Sequence, residues 1–257
     1  MKMVRVCNLS FAYDKENILE NVDFEYDSSD FLALVGPNGG GKSTLLKLIL
    51  GLLKPTSGKI ELFSQKFGYV PQNTMPNGEF PISVLDVALM GRLKNNAFGF
   101  YKKEDKKKAF EALEQVDMQN YAHKKISELS IGQRQKVFIA RALTCEAELL
   151  ILDEPTASVD MQGQVQIYNI LKSLNKDKGV IVVSHDVDVV LGYATKIAYL
   201  SRTLFMHEPS ALTKEAFFEK LQSNNAHNCP VDILIANTCT HNYEFKKHNG
   251  SKFKGKL

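Results

Sequence analysis

No stretch of the 257-residue sequence approaches the ~18 consecutive apolar residues that a membrane-spanning helix needs. Cysteine is scarce as well: Cys7, Cys145, Cys229 and Cys239 form no C-x-x-C pair. That spacing excludes a redox dithiol or a disulfide framework, and reduced thiols are the plain reading. The opening Met1-Lys2-Met3-Val4-Arg5 lacks the apolar stretch of a secretory signal, so a cytosolic chain is expected. Charge of one sign is barely in excess, 32 basic residues against 29 acidic. A balance of +3 is too small to imply nucleic-acid binding. All of it sits in residues 224–257, which carry five lysines and two acids, whereas residues 1–223 balance at 27 of each. Hydrophobic residues, at 44%, suffice for a sizeable core and exclude disorder for the body of the chain. At about 150 residues per domain the length allows one or two.

The apolar pattern changes period along the chain. Residues 4–26 alternate, with Val4, Val6, Ile18, Val22, Phe24 and Tyr26 apolar, and predict short antiparallel strands. Asp27-Ser28-Ser29-Asp30 reads as a turn. Phe31–Val35 is a continuous apolar run, a buried parallel strand, and a glycine-rich loop over 36–41 ends it. A helix follows, with Leu45, Leu46, Ile49, Leu52 and Leu53 expected on its buried side and Gly51 and Pro55 stopping it. From about 83 to 143 the spacing is mainly helical, as in Ala109, Phe110, Leu113 and Val116. Leu149–Leu152 and Val180–Val183 return as buried strands around a helix at about 162–174. Strands alternating with helices predict an α/β fold with a parallel sheet and an inserted helical subdomain. Beyond about 205 the pattern weakens; a helix near 212–222 is expected, then a poorly structured tail.

Two motifs carry the chemistry. Gly36-Pro37-Asn38-Gly39-Gly40-Gly41-Lys42-Ser43-Thr44 satisfies G-x-x-x-x-G-K-[ST] and lies between a strand and a helix, where a phosphate-binding loop must lie. Its glycines let backbone N–H groups converge on phosphate oxygens, and the helix N-terminus adds a positive dipole end. Lys42 would bring full charge to the β- and γ-phosphates, and the Ser43 hydroxyl would ligate Mg²⁺. The second motif, Leu149-Leu150-Ile151-Leu152-Asp153-Glu154-Pro155, is an apolar strand ending in two acids. Neighbouring residues in a strand face opposite ways, but where the strand ends the chain turns, and both carboxylates can face a nucleotide. Asp153 would hold Mg²⁺, directly or through water, and Glu154 would polarise the attacking water.

Between these motifs stands Leu129-Ser130-Ile131-Gly132-Gln133, which resembles the LSGGQ signature of the ATP-binding cassette (ABC) ATPases. Tyr13, Gln72 in Val70-Pro71-Gln72, Ala157-Ser158-Val159-Asp160 and His185 in Ser184-His185-Asp186 follow the same family's order. The resemblance covers about residues 4–205. It implies a P-loop cassette with a RecA-like parallel-sheet core, an N-terminal antiparallel β subdomain and an α-helical subdomain inserted at about 73–143, the whole spanning 1–223. It implies ATP and Mg²⁺ as cofactors and gives each residue a role. Tyr13 stacks on adenine, with a plain core aromatic as the alternative. Gln72 reaches Mg²⁺ and water, or is a solvated loop residue. His185 touches the γ-phosphate, or is a structural histidine. Ser130, Gly132 and Gln133 bind the nucleotide of a second copy, and Ser158 and Asp160 line the dimer seam. Ile131 departs from the family pattern, replacing the signature's first glycine.

A cassette of this kind is half a machine. One phosphate loop and one signature per chain imply a homodimer, and the resemblance implies a separate multi-span permease with an extracytoplasmic solute-binding protein, the cassette lying on the cytoplasmic face of the membrane. Ser83-Val84-Leu85-Asp86-Val87-Ala88-Leu89-Met90-Gly91-Arg92 is similar to the corresponding stretch in zinc/manganese and iron-chelate importers. Residues 224–257 hold five of the ten His and Cys residues, and His227, Cys229, Cys239 and His241 offer ligands of the type Zn²⁺ prefers. The alternative is a solvated basic tail. The expected function is thus an ATPase powering metal-ion import, zinc or manganese first, with an iron-chelate importer or a soluble non-transport ATPase as alternatives.

Overall fold

The computed structural model describes residues 1–72, 81–95 and 101–208. The chain begins with two long strands, β1 (Lys2–Tyr13) and β2 (Glu16–Asp27), and then β3 (Phe31–Val35) and α1 (Lys42–Ile49). Next come β4 (Ser57–Leu62), β5 (Phe67–Val70), α2 (Val84–Leu89), α3 (Lys103–Glu114) and α4 (Ile131–Thr144). The last part is β6 (Leu149–Asp153), α5 (Met161–Leu174), β7 (Gly179–Val183), α6 (Val187–Leu191), β8 (Lys196–Ser201) and β9 (Thr203–His207). The order β2-β1-β4 makes an antiparallel three-stranded sheet. The order β5-β6-β7-β3-β8-β9 makes a six-stranded sheet, parallel throughout except for its edge strand β9.

The central strands are apolar without a break because both their faces are covered. In β3, Phe31, Ala33 and Val35 enter one core and Leu32 and Leu34 the other. β6 and β7 divide the same way: Leu150, Leu152, Val180 and Val182 against Leu149, Ile151, Ile181 and Val183. The first core holds α4, α5 and the helical insert, with Ala109, Leu113, Phe138 and Ile167. The second joins the antiparallel sheet to α1 through Val4, Leu19, Leu45, Leu46 and Ile49. The α/β architecture, the antiparallel N-terminal sheet and the helical insert are as the sequence predicts.

Four expectations change. The N-terminal strands are not short; each spans 12 residues. Leu52 lies past the end of α1 and is 65% exposed, because Gly51 takes a left-handed φ of 70° and turns the chain away. Phe110 faces outward from α3 and meets only the edge of His123 among aromatic rings described, while Ala109 and Leu113 fill the core. The structured part also continues past 205, since β9 closes a hairpin with β8. The expected helix at 212–222 and the tail at 224–257 lie outside the described residues.

Candidate functional site

Four neighbouring strands, β5, β6, β7 and β3, end side by side and deliver four groups to one place. Gln72 follows β5, Asp153 and Glu154 close β6, His185 follows β7, and the loop 36–41 follows β3. This is the end of a parallel sheet at which α/β proteins bind ligands.

The loop is built tightly. Gly36 has φ 146°, and a Cβ there would lie 2.1 Å from the carbonyl oxygen of Leu200 on β8. At Gly41, φ is 96° and a Cβ would lie 2.6 Å from a methyl of Leu19 on β2. The loop is therefore wedged between the two sheets and only glycine fits these positions. Gly41 caps α1, so the helix opens directly on the loop with its positive end. The Lys42 ammonium donates to the carbonyls of Gly36 and Pro37, both at 2.9 Å. Burial lowers the Lys42 pKa, while Glu154 and Asp153 pull it back up.

Alternation places the acids. Asp153 continues the face of Leu149 and Ile151, the side on which α1 packs, and so points toward Lys42 and Ser43. Its carboxyl is buried, which raises its pKa; a hydrogen bond from Ser43 and the charge of Lys42 oppose that rise. Asp153 Oδ1 is buried without a hydrogen-bond partner. An orphaned carboxylate oxygen beside a hydroxyl is a donor set that suits a hard divalent cation such as Mg²⁺. Glu154 would face the opposite way in a regular strand. Its φ of 51° turns it back, and its amide donates to the carbonyl of Val183 on the neighbouring strand at 3.1 Å. Its carboxylate is then held at both oxygens: Gln72 Nε2 donates to Oε2 at 2.6 Å, and His185 Nε2 contacts Oε1. Six of the predicted site residues, Lys42, Ser43, Gln72, Asp153, Glu154 and His185, are thus brought together.

Tyr13 ends β1, 45% exposed, its ring set edge-on to buried Phe11 at 4.8 Å. The signature lies elsewhere. Ser130 is the N-cap of α4: its hydroxyl accepts from the Gln133 amide at 3.2 Å, and Gln133 Oε1 accepts from the Ser130 amide at 3.0 Å. Ser130, Gly132 and Gln133 line a cleft of ≈ 550 Å³ together with Ser158 and Asp160, whose carboxylate caps α5 through the Gly163 amide. Ile131 lines the same cleft, 38% exposed. No residue of the loop 36–44 lines it. The phosphate loop and the signature therefore do not share this cleft within one chain.

One group near the site escapes sequence reading. Ser184, which precedes His185, is a buried polar residue, and Tyr168 of α5 donates a hydrogen bond to it at 3.2 Å. In the sequence Tyr168 is one more apolar position of a helix, and only its unpaired hydroxyl hints at a buried partner. The zinc-type ligands His227, Cys229, Cys239 and His241 lie outside the described residues, and among the described residues no cluster of three metal-binding side chains occurs.

Residues 19–157 match the family model described as ABC transporter. The zinc uptake system ATP-binding protein ZurA of Listeria innocua is 41% identical over 216 residues, which are 79% of this chain and 84% of that protein. The manganese transport system ATP-binding protein MntB of Listeria monocytogenes is 39% identical over 217 residues, 80% of this chain and 90% of that one. Among solved structures, a chain of an ABC transporter in an inward-facing conformation superposes with a TM-score of 0.77 at 37% identity, covering 84% of this chain and 87% of its own.

Proposed function

The chain belongs to the ABC transporter family, and from that premise we propose that it is the ATP-hydrolysing subunit that drives import of a divalent metal ion, zinc or manganese, through a separate permease. It is an ATP-binding protein and an ATPase by family. One observation carries the hydrolytic reading: Glu154 stands beside the phosphate loop with each carboxylate oxygen held, one by Gln72 and one by His185. The choice of cargo rests on relatives at 39–41% identity over about four-fifths of the chain.

The chemistry follows from the geometry. The backbone N–H groups of 36–41 and the start of α1 cradle the phosphates, and Lys42 leaves the loop carbonyls to pair with the β- and γ-phosphates. Ser43, Asp153 and Gln72 would hold Mg²⁺, which supplies charge to the phosphate oxygens as negative charge shifts in the transition state. Glu154 would accept a proton from the attacking water, and His185, held against that carboxylate, would meet the γ-phosphate. Tyr13, exposed at the end of β1, would stack on the adenine.

Because no residue of the phosphate loop lines the signature cleft, a second copy would complete the site. Ser130, Gly132 and Gln133 of one chain close on the nucleotide of the other, with Ser158 and Asp160 at the seam, and twofold symmetry makes two such sites. No helix among the described residues is long and apolar enough to cross a membrane, so the path for the ion belongs to the permease, which the helical subdomain would engage on the cytoplasmic side. A solute-binding protein would deliver the ion from outside.

The test is uptake. The chain would be expressed with its permease in cells lacking their own zinc and manganese importers. Accumulation of one of these ions that depends on Glu154, lost in Glu154→Gln, is the expected result. Accumulation of neither ion, or uptake unaffected by the substitution, contradicts the proposal.

A further inference from the structure

Tyr168 is fully buried on the face of α5 that packs on the sheet. Its hydroxyl donates to Ser184 Oγ at 3.2 Å. That partner is not an arbitrary core residue: Ser184 immediately precedes His185. Ser184 is itself fully engaged. Its Oγ accepts from Tyr168 and from the Asp186 amide at 3.1 Å, and donates to the Asp186 carbonyl at 3.2 Å. A serine hydroxyl has one proton and two lone pairs, and all three are used.

The phenol is also held from behind. The Tyr168 ring stacks on Tyr193 with centroids 5.1 Å apart and planes at 21°. Tyr193 donates its hydroxyl to Asn169 Oδ1 at 3.1 Å, and its carbonyl accepts from the Lys172 ammonium at 3.0 Å. Asn169 and Lys172 belong to α5, so the helix fixes the clamp that fixes the ring. One rigidly mounted hydroxyl thereby ties α5 to the turn after β7, which carries His185.

We propose that Tyr168 is a positioning residue for ATP hydrolysis, holding the turn that carries His185 in place against Glu154 through Ser184. The proposal rests on the hydrolytic reading of Glu154 and His185. Without the phenol hydroxyl, Ser184 loses one of its three bonds, in a buried place where water does not readily replace it. The His185 turn then drifts relative to Glu154, and small displacements at reacting groups cost rate steeply. That turn does not belong to the phosphate cradle of 36–44, so nucleotide affinity should be spared.

The experiment compares full-length wild type with Tyr168→Phe, His185→Ala and the double variant in steady-state ATP hydrolysis. Phe keeps the ring and its packing and removes only the hydroxyl. Tyr168→Phe should lower kcat about tenfold and leave KM for ATP within about twofold, and the double variant should turn over no more slowly than His185→Ala alone. Ser184→Ala should reproduce the kcat loss, and it carries the same test if Tyr168→Phe loses the fold. A Tyr168→Phe enzyme with wild-type kcat overturns the proposal. So does a double variant slowed by the product of the two single effects, since that is the signature of a general structural role. An inactive wild type, or a His185→Ala enzyme as fast as wild type, would instead bring down the hydrolytic reading beneath it.

Discussion

Glu154 adopts a left-handed backbone, φ 51°, immediately after the last residue of β6, and that angle decides which way its carboxylate points. A non-glycine residue holds such a conformation at some cost, and here the bond from its amide to Val183, with Gln72 and His185 at its side chain, offsets it. Ser130 shows the opposite economy. Its hydroxyl caps α4 in the single chain, and the same hydroxyl faces the cleft in which a second copy's nucleotide would lie. The two-copy site makes a definite prediction. Ser130→Arg should bind ATP as a monomer but fail to hydrolyse it, and Lys42→Ala should lose both. Mixing the two restores one complete site per heterodimer, made from the phosphate loop of the Ser130→Arg chain and the signature of the Lys42→Ala chain. Recovered ATPase activity in the mixture, absent from either variant alone, is the expected outcome; a fully active Ser130→Arg contradicts the model.

At the scale of elements, the stretch Gly91-Arg92 acquires a physical reason that spacing does not reveal. A Cβ on Gly91 would lie 2.1 Å from Thr144 Oγ1 and 2.2 Å from the Arg141 carbonyl, so the turn after α2 must be glycine to touch the end of α4. Arg92 is buried beside it. It donates to Asp105 Oδ1 at 3.0 Å, to the Thr144 carbonyl at 3.2 Å and to Glu146 Oε2 at 3.1 Å. These contacts tie α2, α3 and α4 into one body. Gly91→Ala should therefore cost about 1–3 kcal/mol from overpacking, read as a fall in Tm with ATP affinity unchanged; a Tm equal to wild type would contradict the close contact. The same elements mark the limits of sequence reading. β3, β6 and β7 were legible as apolar runs because the sheet is covered on both faces. β4 was not, since Ser57–Leu62 is an edge strand, mostly exposed, with no apolar alternation to show. β9 was missed because its partner is known only once the chain has folded. The site motifs were readable because each is local in sequence, whereas the link from Tyr168 to Ser184 joins residues 16 apart and Gln72 meets Glu154 across 82.

At the scale of the whole molecule, a glycine loop is wedged between two sheets, a helical body is inserted beside them, and the signature cleft contains no residue of the phosphate loop. The proposed function gives that arrangement two partners: a second copy for the chemistry and a permease for the transport. The tail adds a question of feedback. If His227, Cys229, Cys239 and His241 bind the imported ion, the full chain should take up an additional zinc ion compared with a variant carrying alanine at all four positions, and more weakly at acidic pH, because the thiols and imidazoles must be deprotonated. Equal zinc stoichiometry and affinity in a titration of the two proteins would reduce the tail to a solvated basic segment. Beneath all of this lies one claim, that the chain hydrolyses ATP with Glu154 as the group that activates water, in a dimer closed by nucleotide. The most direct measurement is ATP turnover of Glu154→Gln beside wild type, with size-exclusion chromatography of both in the presence of ATP and Mg²⁺. The substitution removes charge at the water and leaves the phosphate cradle intact. ATP binding should persist, turnover should fall by orders of magnitude, and the variant should elute as an ATP-bound dimer; near-normal turnover in a monomeric Glu154→Gln would contradict the account.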